Sequence, residues 1–173
     1  VNCFQTQNRF DTLTMISCCN GTNANMRMMV LNCHGLGTLN MTNVGNGANV
    51  KMGRAIYYPC ALRNVTLNNV GNGANAELYQ MFWRASNNNT TWNPGNPTVT
   101  YRFTDVGKNN ANMRDMFYLS LDNPRMAADS TFIWSNTGSR GTASSMGAMF
   151  SQCSYDVVGI VATNDGWALK QTW

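Results

Sequence analysis

The apolar positions of this chain come in short runs cut by Gly, Asn and Pro, and few recur at the three-to-four-residue spacing of an amphipathic helix. The runs 26–31, 55–58, 78–83, 98–103, 131–134 and 157–161 alternate or are wholly apolar, and turn residues bound each of them. That pattern predicts β-strands. Segment 112–121 fits a helical stripe (Met113, Met116, Phe117, Leu121) about as well as it fits a strand (Phe117, Leu119, Leu121), and its aromatic content and neighbouring turns favour the strand. Short strands so spaced predict an all-β fold: an antiparallel sandwich or jelly roll with long Asn/Gly-rich loops.

One heptapeptide, NVGNGAN, occurs twice, at 43–49 and 69–75, offset by 26 residues. Thr38-Leu39-Asn40 precedes the first copy and Thr66-Leu67-Asn68 the second, with a two-residue difference before the turn. A shift of two preserves the face to which each strand residue points, so a strand leading into a turn is expected. Asn-Gly between apolar runs is a strong hairpin signal, because both residues accept the positive φ of a type I′ turn. Two similar hairpin units, about 38–60 and 66–85, are therefore expected within a single domain spanning 1–173. Ala-Asn-Met-Arg at 24–27 and 111–114 echoes the repeat. With Asn25, Asn49, Asn75 and Asn112 taken as equivalent, the spacings are 24, 26 and 37, which no regular solenoid period fits.

Composition sharpens the surface. Charged residues make up 12%, about half the usual level for a soluble domain. There are 26 Asn, yet only three Lys and four Ile, so an AT-rich base composition is a poor explanation for the Asn. Asn is wanted for its chemistry: its amide donates and accepts hydrogen bonds, and it tolerates left-handed dihedrals. The net charge of +4 is spread over single basic residues, which gives no stripe for nucleic acid. No apolar stretch approaches the about 20 residues needed to span a bilayer. A start at Val1 is expected to reflect a removed signal peptide. The six cysteines, Cys3, Cys18, Cys19, Cys33, Cys60 and Cys153, then predict a disulfide-stapled chain in an oxidising compartment, on an extracellular, cell or virion surface.

Chemistry is limited by scarcity. Gly45-Asn46-Gly47 and Gly71-Asn72-Gly73 lack the lysine and third glycine of phosphate-binding loops. The single histidine, His34, stands beside Cys33, so any Ser-His or Cys-His mechanism must run through it, and no nucleophile elbow accompanies it. Glu77 is the only glutamate, and a glycosidase pair such as Glu77 with Asp105 would have to be assembled by folding. No metal-ligand spacing is present, and no cofactor is expected. Sequons lie at Asn20, Asn40, Asn64, Asn88 and Asn89. The 12 Met fit core filling or adaptable packing between subunits.

Two loops combine aromatic and amide side chains in the way sugar sites do: 86–97, with Trp92 and Asn93, and 163–173, with Asn164, Asp165 and Trp167. In its length, its Cys close to the N-terminus (Cys3) and its short strands, the chain resembles bacterial fimbrial lectin domains; the likeness is one of outline and supplies no site residue. The expected function is non-enzymatic recognition of a glycan or host surface, adhesin- or lectin-like. The alternatives are a subunit of a filament or capsid that binds copies of itself, and a secreted hydrolase.

Overall fold

The computed structural model describes residues 3–6, 9–85, 99–109, 111–118, 120, 131–135 and 160–162. Its strands are β1 (Phe4–Gln5), β2 (Thr12–Ile16), β3 (Val30–Leu31), β4 (Thr38–Val44), β5 (Ile56–Tyr57), β6 (Asn64–Val70), β7 (Phe82–Trp83), β8 (Thr100–Val106), β9 (Thr131–Ser135) and β10 (Ile160–Ala162). They form a four-stranded sheet, in the order β1-β3-β5-β7, and a six-stranded sheet, in the order β10-β9-β8-β6-β4-β2. Every pairing between these strands is parallel. The chain is a β-solenoid of about three turns.

This overturns the antiparallel sandwich or jelly roll, and with it the hairpins. The 26-residue unit is one coil. Its long strand lies in the large sheet, its short strand in the small one, and the next coil repeats both directly alongside. Thr38 pairs with Asn64, and Leu39 with Val65, without any gap. Thr38 is therefore not the counterpart of Thr66, which pairs with Asn40. The first two coils keep the 26-residue step, Thr12 to Thr38 to Asn64, and the third is longer, Asn64 to Thr100.

The long strands point alternate residues inward, which stacks like on like down the core. Leu13, Leu39, Val65 and Tyr101 form one buried column. Met26, Met52, Leu78 and Met113 are buried alike, and so are Met29, Met81 and Met116, so these Met are core residues. Val30, Ile56 and Phe82 pair in sequence, and Phe82 stacks on Phe117 with ring centroids 5.3 Å apart. Met28 is half-buried, and Met146 and Met149 lie outside the described residues.

The repeated heptapeptide builds the corner. Asn46 and Gly47 do not have the positive φ of a type I′ turn; the left-handed residues are Asn43 (φ 55°), Gly45 (φ 68°) and Asn49 (φ 55°), and Asn69, Gly71 and Asn75 follow them one coil on. Single left-handed residues bend the chain without reversing it, which Asn and Gly accept at least cost. Between coils, Asn side chains replace the strand ladder. The Asn46 backbone N–H donates to Asn20 Oδ1 (2.9 Å), that of Asn72 to Asn46 Oδ1 (2.9 Å), and that of Lys108 to Asn72 Oδ1 (2.8 Å). Their Nδ2 groups donate onward, Asn46 to the Asn69 carbonyl (2.8 Å) and Asn72 to that of Asp105 (2.6 Å). A second ladder joins Asn69 Nδ2 to Asn43 Oδ1 (2.8 Å), and a third joins Asn23, Asn49 and Asn75. The coils approach so closely that a Cβ on Gly73 would fall on the Gly47 carbonyl.

Segment 112–121 is not a strand where it is described: Asn112 makes a single parallel bridge to Glu77, and residues 114–118 turn. The disulfides are also overturned. Cys3, Cys18, Cys19, Cys33 and Cys60 form no disulfide, and Cys153 lies outside the described residues. Parallel stacking explains this, because it brings equivalent positions together and the cysteines occupy different ones. The Cys33 thiol donates to the carbonyls of Phe4 (3.5 Å) and Leu31 (3.7 Å), while Cys60 Sγ meets His34 Nδ1 at 3.1 Å.

Candidate binding face

The small sheet carries the densest chemistry among the described residues. Its strands are two residues long, so each presents one residue to the core and one outward. The outward column runs Leu31, Tyr57, Trp83, all half-buried, and Tyr118 continues it. Tyr57 and Trp83 have ring centroids 5.8 Å apart, and Trp83 and Tyr118 5.1 Å. An aromatic strip thus follows the stacking direction. The Trp83 indole N–H is buried without a hydrogen-bond partner among the described residues.

Basic groups flank the strip on both sides. The Arg54 guanidinium lies 3.7 Å from the Trp83 ring centroid, and its Nε donates to Gln80 Oε1 at 2.9 Å. On the far side Arg84 stands 5.1 Å from the Tyr58 ring centroid. Both Arg54 and Arg84 sit at left-handed corner positions (φ 56° and 51°). Arg27 bonds Glu77 through Nη2–Oε2 at 2.5 Å, reaching across an intervening coil.

A pocket of about 300 Å³ opens beside this pair, lined by Arg27, Met28, Gly53, Arg54, Glu77 and Tyr79. Its origin is local. Residues 27, 53 and 79 occupy equivalent positions one coil apart, and the middle one is glycine, so a side chain is missing between Arg27 and Tyr79. A Cβ there would come 3.2 Å from the Tyr79 carbonyl. The face can therefore offer stacking surface, fixed cations, one carboxylate and a recess of small-molecule size.

The sulfur chemistry is quiet by comparison. Burial pushes the Cys60 thiol up to about 11, against a smaller opposing pull from Arg84. Cys60 is thus a buried thiol beside His34 rather than a thiolate, and thiolate is what a nucleophile needs. His34 Nδ1 meets Cys60 Sγ. Cys19 is also raised, first by burial and then by Cys18. Among the described residues no group of three or more His, Cys, Asp or Glu could hold a metal ion, and no helix is long and apolar enough to cross a membrane.

Trp92, Asn93, Asn164, Asp165 and Trp167 lie outside the described residues, as do the sequons at Asn88 and Asn89. Asn20 is described, and its Nδ2 donates to the Asn43 carbonyl (2.9 Å), so the nitrogen a glycan would occupy is committed to the corner. Glu77 does acquire a partner by folding, but it is Arg27 and not Asp105. Sequence reasoning missed Arg27, Arg54, Trp83 and Gly53. The available signal was the 26-residue step itself, which places Arg27, Gly53 and Tyr79 in one column and Leu31, Tyr57 and Trp83 in another. Comparison with protein-family models, with curated proteins and with solved structures finds no match to this chain.

Proposed function

We propose that this solenoid is a non-enzymatic recognition module that binds a glycan chain along its small-sheet face. The observation that carries this reading is the aromatic strip Tyr57-Trp83-Tyr118, with Arg54 fixed against Trp83 and the Gly53 recess beside it. Aromatic faces take the C–H surfaces of sugar rings, and planar guanidinium, amide and carboxylate groups match their hydroxyls. A strip that steps by one coil suits a ligand that repeats. The chemistry supports binding over turnover: the one histidine is engaged by a buried thiol, and the one glutamate by an arginine. A neutral, Asn-rich surface supports an extracellular or virion location, although the disulfides expected to support it as well are absent from the described cysteines. The test is glycan binding by wild type, Trp83→Ala and Gly53→Leu. Loss in both variants, with the far-ultraviolet spectrum unchanged, is the expected result; unaltered binding in both removes this face.

One observation favours assembly from copies of the chain instead. Strand β2 lies at an edge of the large sheet, and its Ile16 is 66% exposed. Unpaired strand edges template further pairing. Light scattering on the eluted protein separates the two readings, since a monomer that binds glycan leaves no role for the edge.

A further inference from the structure

The charges on the small-sheet face do not balance. Its described cations are Arg27, Lys51, Arg54, Arg84 and Arg114, and its described acids are Glu77 and Asp115. Glu77 is taken by Arg27, and Asp115 Oδ2 lies 3.5 Å from Arg114 Nε. Lys51, Arg54 and Arg84 form no ion pair with any described residue, in a chain whose charged residues are otherwise scarce. They are not scattered: Lys51 and Arg54 precede the short strand β5, and Arg84 follows β7, so the three bracket the aromatic strip.

Arg54 is the most firmly placed of the three. The Arg54 side chain is pinned by ring contact with Trp83 and by the Nε bond to Gln80, which is 4% exposed. Both of its terminal Nη groups stay available for a bidentate acceptor, the geometry in which arginine binds carboxylate best. The recess left by Gly53 lies against the same arginine. Lys51 stands between Asn25 and Glu77 in the bridge column, and Glu77 lines the pocket. A neutral glycan would cover these three cations without supplying a counter-charge, whereas an acidic one pairs with them.

We propose that the ligand of this face is a carboxylated glycan, a chain containing uronic-acid-type sugars, with Arg54 as the carboxylate receptor and Lys51 and Arg84 as supporting cations. The inference rests on the glycan-binding reading above and adds the class of sugar.

The experiment uses oligogalacturonate and its methyl ester, which share one backbone and differ in charge, together with neutral cello-oligosaccharides. Titration calorimetry on the full chain is expected to show the acid binding about tenfold or more tighter than the ester. Added salt should narrow that gap. Arg54→Asn, which keeps a residue tolerant of the left-handed corner, should bring the acid down to the level of the ester. Lys51→Gln, at an extended position, should close the gap in part and guards against misfolding of the first variant. Ester or neutral chains binding as tightly as the acid, and still blocked by Gly53→Leu, would overturn the carboxylate inference while the glycan-binding reading stands. If none of the three probes binds, both fall together.

Discussion

The Asn72 side chain makes two hydrogen bonds to the next coil and one within its own, so its replacement measures what the ladder contributes. Its Nδ2 donates to Asn69 Oδ1 (2.7 Å) and to the Asp105 carbonyl (2.6 Å), and its Oδ1 accepts the Lys108 backbone N–H (2.8 Å). Asn72→Ala removes all three. Asn69 Oδ1 can accept from water instead, but the Lys108 N–H and Asp105 carbonyl belong to half-buried residues one coil away and lose a fixed partner. At about 1 kcal/mol net for each bond, and somewhat more for a group left unsatisfied, the expected cost is about 2–4 kcal/mol. Asn68→Ala is the control, because Asn68 is exposed on the flat outer face, where a change of about 0.5 kcal/mol or less is expected. Urea unfolding gives the stabilities, and a solenoid need not unfold in one step, so hydrogen exchange at the Lys108 amide reads the ladder locally. That amide should lose protection in Asn72→Ala alone. Equal stabilities in the two variants, with the Lys108 amide still protected, would refute the ladder as the element that ties corner to corner.

Three further outcomes are expected. Gly73→Ala should cost about 2–3 kcal/mol, since its Cβ would meet the Gly47 carbonyl, whereas Gly21→Ala, with open space around it, should stay within about 0.5 kcal/mol; similar melting temperatures for the two would contradict the close approach. The Cys60 thiol is raised from an ordinary 9.0 to about 11, so the fold favours its neutral form: the contribution is complete below pH 9 and is lost as pH rises through 11, by about 2–3 kcal/mol, and Cys60→Ala should flatten the stability profile in that window relative to wild type. Without reductant, a thiol reagent should modify the exposed Cys3 and Cys19 in the native protein, but Cys33 and Cys60 only after unfolding; fewer than five reactive thiols in the unfolded chain would restore a disulfide.

The alternating pattern made the strands of this protein legible, since apolar residues on one side and polar on the other have only one use in a short extended run. Segments 26–31, 55–58 and 78–83 each hold a short strand, 98–103 and 131–134 overlap longer ones, and the Asn and Gly residues do mark corners. Segment 112–121 misled because Phe117 serves the core from a turn: it packs on Phe82 from outside any strand. The binding face stayed hidden for a related reason. Arg27 and Glu77 are fifty residues apart, and Trp83 and Tyr118 thirty-five, so no local window contains either pair.

Strand direction and register were beyond the pattern altogether. A period of two is the same for parallel and antiparallel neighbours, and a slip of two residues leaves every side chain on its own face. Matching Thr38 with Thr66, or Asn25 with Asn49, is such a slip: the true partners are Asn64 and Lys51. The inward and outward sides therefore come out right under either register, and only the repeat length suffers. What selects the register is contact between coils. Asn46 Oδ1 has to find the Asn72 backbone N–H, and Gly73 has to lie under the Gly47 carbonyl, and both conditions are met at a step of 26 residues. Composition and alternation thus suffice for an all-β chain with polar Asn-built corners. Its winding into a parallel solenoid, the absence of disulfides among its described cysteines, and the gathering of Arg27, Arg54, Glu77 and Trp83 on one face follow from distances between coils, which exist only once the chain has folded.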